Sequence, residues 1–349
     1  RWLSDWSSDV CSSDLGPGLS GSSFASVAEA LSAVGVPDHR IVLFPSWDPG
    51  GAAFVSERAR LRWPSHRKYV RSFEDLGLFA NARDLSGGAW RACFWETDVR
   101  RPAAQPQHER RKYLLDGRLW KFAGLGRFGR RALERARMLA GEGFAPPVAG
   151  LENGFLVTEW VPGRPLAPGE VTPQLIDAMA RYLAFLRRAF PCAREVTHAR
   201  LAEMVRYNAG VDLRLDCPDA PACGIDNRMF PHEWLLTPSG YLKTDGVEHH
   251  DDHFFPGPQD IAWDLAAAEI EFAMTPAEAE ALAARYAALS GDRSIRARIP
   301  FHRLAWLAFR LGYCEMAAGA LGHGPDAARF RELRARYAAL LSLEVPRHA

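Results

Sequence analysis

Two hairpin signals flanking one helical run constrain this chain more than any other feature. ERRKYLL and GRLWKFAG enclose Asp116-Gly117, and an Asp-Gly pair between apolar runs favours a two-residue turn with both residues at positive φ. ALERARMLAGEG follows with helical spacing and closes at Gly143. PVAGLENGFLVTEWVPGRPL then reads as two further strands around Glu152 to Gly154. After Thr172 the text becomes helical in long runs, from QLIDAMARYLAFLRRAF to AARFRELRARYAALLSL, broken by a loop-and-strand insert from Cys217 to Gly257. A small mixed unit over 109–165 followed by a large helical unit over 166–349 is therefore expected, an α+β chain of two lobes.

The text before residue 109 is of a different kind. Residues 81–108 end in the Pro/Gln-rich RPAAQPQH and read as a linker. Over 16–80, GPGLSGSSF, SVAEALSAVGV and RIVLFP give loop, helix and strand, with Ser22 and Ser23 placed to cap the helix. Backbone N–H groups converging with a positive helix end suit a phosphate. The turn Ser20-Gly21-Ser22-Ser23 resembles the phosphate-binding loop of type I phosphoribosyltransferases, which implies a truncated α/β remnant of such a domain; an ordinary capped helix gives the same text. Residues 1–15, RWLSDWSSDVCSSDL, have neither a basic start with an apolar core nor any periodicity. They resemble translated read-through of a sequencing adapter at the end of a metagenomic fragment, so Cys11 is expected to be foreign and the native chain to begin upstream.

Composition narrows the partners. Lys plus Arg number 43 against 42 Asp plus Glu, so no net field draws nucleic acid or an anionic membrane, and the basic stretch from Arg58 to Arg71 reads as a solvated face. No apolar run approaches the roughly 18 residues that span a bilayer. Six cysteines without a C-x-x-C pair read as reduced thiols in a cytoplasmic protein. A small molecule is the expected partner.

Several local patterns carry chemistry. Lys121 sits on a strand between Trp120 and Phe122 and either snorkels from a strand edge or offers a fixed cation. An apolar strand entering Pro162-Gly163 leaves backbone groups at Glu159, Trp160 and Val161 to face an adenine edge, or is a plain edge strand. Asp245 closes the strand YLKTD, as a metal ligand or as the cap of the turn at Gly246. Gly124, Gly126 and Gly129 spell G-x-G-x-x-G, but no β-α-β unit follows, so a dinucleotide site is rejected. The run from Glu248 to His253, with His232, has ligands enough for zinc, yet reads equally as an acceptor-recognition loop (His232, His250, Asp252, His253) or a solvated one.

Over about 109–349 these patterns together resemble the aminoglycoside phosphotransferase and choline kinase family, with its protein kinase-like fold. FLVTEWVPGRPL is similar to the hinge strand, and GIDNRMFPHEWLL, GYLKTDG and PQDIAWDLA follow the order of catalytic loop, metal-binding Asp and closing helix. The resemblance implies ATP and Mg²⁺ as cofactors, Lys121 on the phosphates tethered by Glu134, and Asp245 on the metal. The family loop reads H-G-D-x-x-P-x-N, and this chain departs from it. Asp226 follows Gly-Ile and precedes Pro231 by five residues; aligned on the proline, Glu233 takes the metal-binding Asn's place and Arg228 the base's. Asp226 and Arg228 are thus the two candidates for the catalytic position. The leading expectation is transfer of a γ-phosphoryl group to a hydroxyl of a small soluble acceptor. The alternatives are a nucleotide-binding module without turnover, and a phosphoribosyltransferase joined to a kinase and acting on a ribosylated metabolite.

Overall fold

The computed structural model describes residues 21–348 apart from 46, 51, 53, 98–100, 194–197, 214–215 and 250–256. The adapter-like segment, Ser20, His250, Asp252 and His253 lie outside the described residues.

The first unit is small. α1 (Ser22–Ala33), β1 (Val42–Leu43), α2 (Glu57–Arg62) and β2 (Arg67–Lys68) close around Ala28, Leu43, Phe54 and Trp63, with β1 and β2 parallel. Gly21 at φ 64° is the N-cap of α1, so Ser22 and Ser23 fall in the first turn and do not cap it. A Cβ at Gly21 would meet the Phe54 ring at 2.6 Å, which fixes this position as glycine. The basic stretch is mostly a solvated face, with Arg58, Arg60, Arg67 and Arg71 exposed, while the half-buried Arg62 pairs with Asp38 at 3.2 Å and Lys68 donates to the Trp63 carbonyl at 2.7 Å.

The small lobe is a five-stranded antiparallel sheet in the order β3-β4-β5-β7-β6, made by β3 (Arg83–Asp84), β4 (Lys112–Leu115), β5 (Arg118–Phe122), β6 (Val148–Glu152) and β7 (Phe155–Glu159). Asp116 and Gly117 at φ 50° and 73° make the expected two-residue turn, and Asn153 and Gly154 at 49° and 82° repeat it. The sheet corrects the expected linker at 81–108, because β3 pairs Arg83 with Leu114 and Asp84 with Tyr113. Two polar residues at a sheet edge leave no alternation to read. On the outer face Phe73 and Phe79 pack against Tyr113, Phe122 and Phe155. α3 (Gly126–Gly141) crosses the other side, and its glycine start is a packing device. A Cβ on Gly129 would lie 2.3 Å from the Gly124 carbonyl oxygen, so only glycine lets the loop and helix meet.

The large lobe opens with β8 (Arg164–Pro165) and α4 (Pro173–Ala189), the latter capped by the Thr172 hydroxyl, which accepts from Leu175 N–H at 3.1 Å. α5 (His198–Ala209) leads to the insert, where β9 (Trp234–Thr237) and β10 (Gly240–Lys243) join β8 in the order β10-β9-β8. α6 (Ala262–Glu271), α7 (Pro276–Ser290), α8 (Ile295–Leu321) and α9 (Pro325–His348) complete it. One core runs from Leu139 and Phe144 beneath the small lobe to Tyr337 on α9, with Trp263 and Trp306 edge to face at 5.4 Å. This is the α+β, two-lobed layout expected. No described helix is long and apolar enough to cross a membrane.

The lobes are joined by one buried guanidinium. Arg135 on α3 donates to the carbonyls of Gly246 at 2.9 Å, Gly224 at 2.9 Å and Ile225 at 3.1 Å. Replacing it by leucine strands three carbonyls in the interior, where each unmet group costs about 1–3 kcal/mol. Arg135→Leu is expected to destabilise the chain by roughly 3 kcal/mol in urea titration. A midpoint equal to the parent's would show that the carbonyls have other donors.

Candidate active site

A cavity of about 900 Å³ lies between the lobes. That volume is ample for a nucleotide, near the upper end of small-molecule sites. Period-two alternation on β5 turns Leu119 and Lys121 to its wall, while Trp120 and Phe122 join the aromatic cluster behind. Asp245, two residues beyond β10, faces Lys121 from the large lobe. The two are hydrogen-bonded, and Glu248 Oε2 lies 3.1 Å from the same ammonium. The two groups expected on opposite lips of one cleft therefore meet. Burial works to lower the Lys121 pKa, but Asp245 and then Glu248 hold it above the ordinary amine value. Burial works to raise Asp245, and Lys121 and then His249 hold it well below the usual carboxylate range.

Glu134 does not tether Lys121. It is exposed on α3, one residue and therefore about 100° of helix away from the inward Arg135. Lys121 is held by Asp245 and Glu248 instead. The hinge is also altered from expectation. Glu159 N–H already donates to the Pro147 carbonyl and Trp160 N–H to the Gly117 carbonyl, each at 2.9 Å. Of the three, only Val161 N–H has no backbone acceptor among the described residues. The Glu159 side chain pairs with Arg118 at 3.0 Å, and Trp160 stacks on Phe94 at 5.8 Å.

Asp226 is corrected as a base, because it is fully buried and does not line the cavity. Its oxygens accept from Tyr182 Oη at 2.5 Å and Arg228 N–H at 3.0 Å, and Lys243 Nζ is 3.4 Å away. Gly246 closes over it, since a Cβ there would sit 2.4 Å from the Tyr182 hydroxyl and 3.0 Å from Asp226 Oδ2. Arg228, by contrast, lines the cavity. The loop is fixed from below by Asp264, whose carboxylate accepts from the N–H of Asp226 at 2.7 Å and of Asn227 at 2.9 Å. Burial, and then the Asp226 charge, push Asp264 up to about 7.

Glu233 stands with Asp226 and His249 in a buried set whose ligand atoms lie within 4.8 Å of one another, as a metal site would require, but a protein ammonium already sits against it. Glu233 Oε2 is bound by Lys243 Nζ at 2.7 Å, and the same ammonium donates to the Asp245 carbonyl at 2.7 Å. Lys243 is 1% exposed, so an internal cation fills the space between Asp226, Glu233 and Asp245. Against burial, those three carboxylates hold its pKa above the ordinary value. Asp245, which lines the cleft, is the carboxylate that would hold a Mg²⁺ ion there. His232 is a wall rather than a ligand, stacked between Trp90 at 5.8 Å and Phe230 at 5.4 Å. Burial, and then Lys243, bring its pKa down to about 3, so it is neutral.

Sequence reasoning missed Lys243 and Arg135, and named Glu248 only as the start of a run with ligands enough for zinc. Lys243 carried a readable signal, a lysine two residues before Asp245 in an apolar strand beside an insert rich in acids. Arg135 shares the 3–4 spacing of Gly129, Ala132, Ala136 and Leu139.

No protein-family model matches the chain, and no curated protein sequence does. Solved structures similar to it include choline kinase LicA from Streptococcus pneumoniae, at 14% identity and TM-score 0.42 over 66% of this chain and 89% of that one. A choline/ethanolamine kinase family protein from Mesorhizobium loti is similar at 16% identity and TM-score 0.42, covering 68% and 88%. An aminoglycoside phosphotransferase from Alicyclobacillus acidocaldarius is similar at 17% identity and TM-score 0.40, covering 68% and 90%.

Removing Lys243 tests its role as the internal cation. Lys243→Met leaves Asp226 and Glu233 buried without their partner, which should cost about 3–5 kcal/mol. In the parent, Glu233 is already pushed up to about 7 by burial, against Lys243. A carboxylate with a raised pKa favours the fold at low pH, so the loss should be larger at pH 8 than at pH 5. Denaturation at both pH values reads the difference, and an equal loss at each would place the carboxylates' charge elsewhere.

Proposed function

We propose that the interlobe cleft binds a nucleoside triphosphate, most simply ATP, and that the protein is a kinase-like phosphotransferase acting on a hydroxyl of a small acceptor. The observation that carries this is the meeting of Lys121 with Asp245 and Glu248 across a cavity of nucleotide size. The base would lie against Val161, Leu156 and Trp160, with Val161 N–H as its backbone donor. Lys121 would turn from the two carboxylates to the phosphates, as a fixed cation does in phosphoryl transfer. When bound at Asp245, Mg²⁺ would supply positive charge on the phosphate oxygens.

Arg228 changes the expected division of labour. A guanidinium stays protonated and cannot accept a proton, but it can hold the charge spread over a transferring phosphoryl group. Glu248, which lines the cavity beside Lys121, is the carboxylate best placed to orient and receive the acceptor's proton. These two residues would do the work that one aspartate does in the resembled family.

A second reading is favoured by one specific observation, the sealing of Asp226 away from the cavity. On that reading the cleft binds a nucleotide without turnover. Calorimetry with Mg-ATP, followed by mass spectrometry of a metabolite extract incubated with the protein, separates the two. Asp245→Ala is expected to weaken Mg-ATP binding at least tenfold under either reading, and unchanged affinity would remove the nucleotide site altogether. Under the transferase reading a phosphorylated product forms, and Arg228→Ala lowers its rate by about 10³ with little change in ATP affinity. Binding with no product from any acceptor would leave only the second.

A further inference from the structure

The helical lobe holds a set of soft donors that the cleft does not use. His198 opens α5, Cys217 lies in the insert and His302 is in the second turn of α8, and none of the three lines the cavity. A ring nitrogen from each histidine and the Cys217 sulfur all lie within 4.8 Å of one another. His302 is fully buried, and neither of its ring nitrogens makes a hydrogen bond among the described residues. His198 Nε2 is likewise buried and without such a partner. Buried imidazole nitrogens are ordinarily satisfied, so His302 Nδ1 and His198 Nε2, unmet in one place, call for a ligand.

The surroundings have the chemistry of a metal centre. His302 Nε2 lies 3.4 Å from Asp260 Oδ2, and His198 Nδ1 lies 3.8 Å from Asp219 Oδ1. Asp260 thus stands near one nitrogen of His302, the outer arrangement that orients metal-bound histidines and leaves the other nitrogen as ligand, while Asp219 is exposed and beyond hydrogen-bond distance of His198. Two nitrogens and one sulfur suit a borderline-soft ion and exclude Mg²⁺ or Ca²⁺, which take oxygen. In a tetrahedral zinc centre donors stand about 3.5 Å apart, given bonds of roughly 2.0–2.3 Å. Closing from 4.8 Å or less therefore needs movements of about 1 Å, within reach of side-chain rotation.

We propose that His198, Cys217 and His302 bind a divalent ion of the zinc class, with water in the fourth position, and that the ion pins the insert and the start of α5 to α8. Cys217 binds as the thiolate and its proton passes to water. The ion is separate from any at Asp245, which lies among oxygen donors.

The test uses the full chain, stripped by a chelator and reloaded with Co²⁺ or Zn²⁺. Co²⁺ is expected to give the visible absorption of a tetrahedral centre together with a thiolate-to-cobalt charge-transfer band. Cys217→Ser, on a partly exposed loop, is expected to keep the fold, lose that band and weaken Zn²⁺ binding by at least about a hundredfold. His198→Gln is expected to keep the band but weaken binding, which separates loss of a ligand from loss of fold. A parent chain that takes up no Co²⁺ with a thiolate band, or a Cys217→Ser chain with unchanged spectrum and affinity, would overturn the site.

Discussion

The arrangement of the cleft depends on one buried ammonium. Lys243 lies among Asp226, Glu233 and the Asp245 backbone, and without it two carboxylates would stand in an interior that cannot hold their charge. Its position follows from a short strand: β10 carries it inward beside β9, and Glu233 stands just before β9. With the pair neutralised, the loop from Asp226 to Glu233 can run through the core and bring Arg228 to the cavity. Asp264 completes this from beneath by taking two successive loop N–H groups. The loop is therefore held by charge at one end and by backbone hydrogen bonds at the other.

The small lobe is coupled to that loop directly. Arg135 reaches from α3 to carbonyls on both Gly224–Ile225 and Gly246, the two segments that carry Arg228 and Asp245. Lys121 reaches the second segment from β5. Two cations from one lobe thus grip adjoining segments of the other, one through carbonyls and one through carboxylates. A ligand that drew Lys121 away would break only the second grip, and Arg135 would keep the lobes in register. This division suits a cleft that binds phosphates without coming apart.

What was legible in the sequence was local. Asp116-Gly117 and Asn153-Gly154 state their turns within two residues, and Lys121 follows from period-two alternation on the strand they define. Asp245 was legible because a carboxylate closing an apolar strand has few other reasons to be there. The illegible parts all required distant residues. Asp226 is sealed by Tyr182, 44 residues earlier, and by Gly246, 20 residues later, and no spacing rule connects them. Glu134 and Arg135 differ by one step of helix, and the presence of a familiar charge type outweighed a stripe of small residues that pointed to the arginine. β3 is two polar residues at a sheet edge, below what alternation can reveal.

On the proposed reading, Arg228 at the position of an expected carboxylate has a physical consequence for reaction in the cleft. Where phosphoryl transfer is largely dissociative, the acceptor hydroxyl keeps its proton until late, and the steep requirement is for charge on the departing phosphoryl oxygens rather than for a strong base. A fixed guanidinium meets that requirement directly. The proton still needs a destination, and of the cavity carboxylates Asp245 is engaged by Lys121 and His249, while Glu109 is engaged by Lys112 at 2.7 Å. Glu248 lines the cavity and has Lys121 3.1 Å from its Oε2, a contact that a bound phosphate would loosen. Entry of the nucleotide would therefore create the proton acceptor that the loop no longer provides.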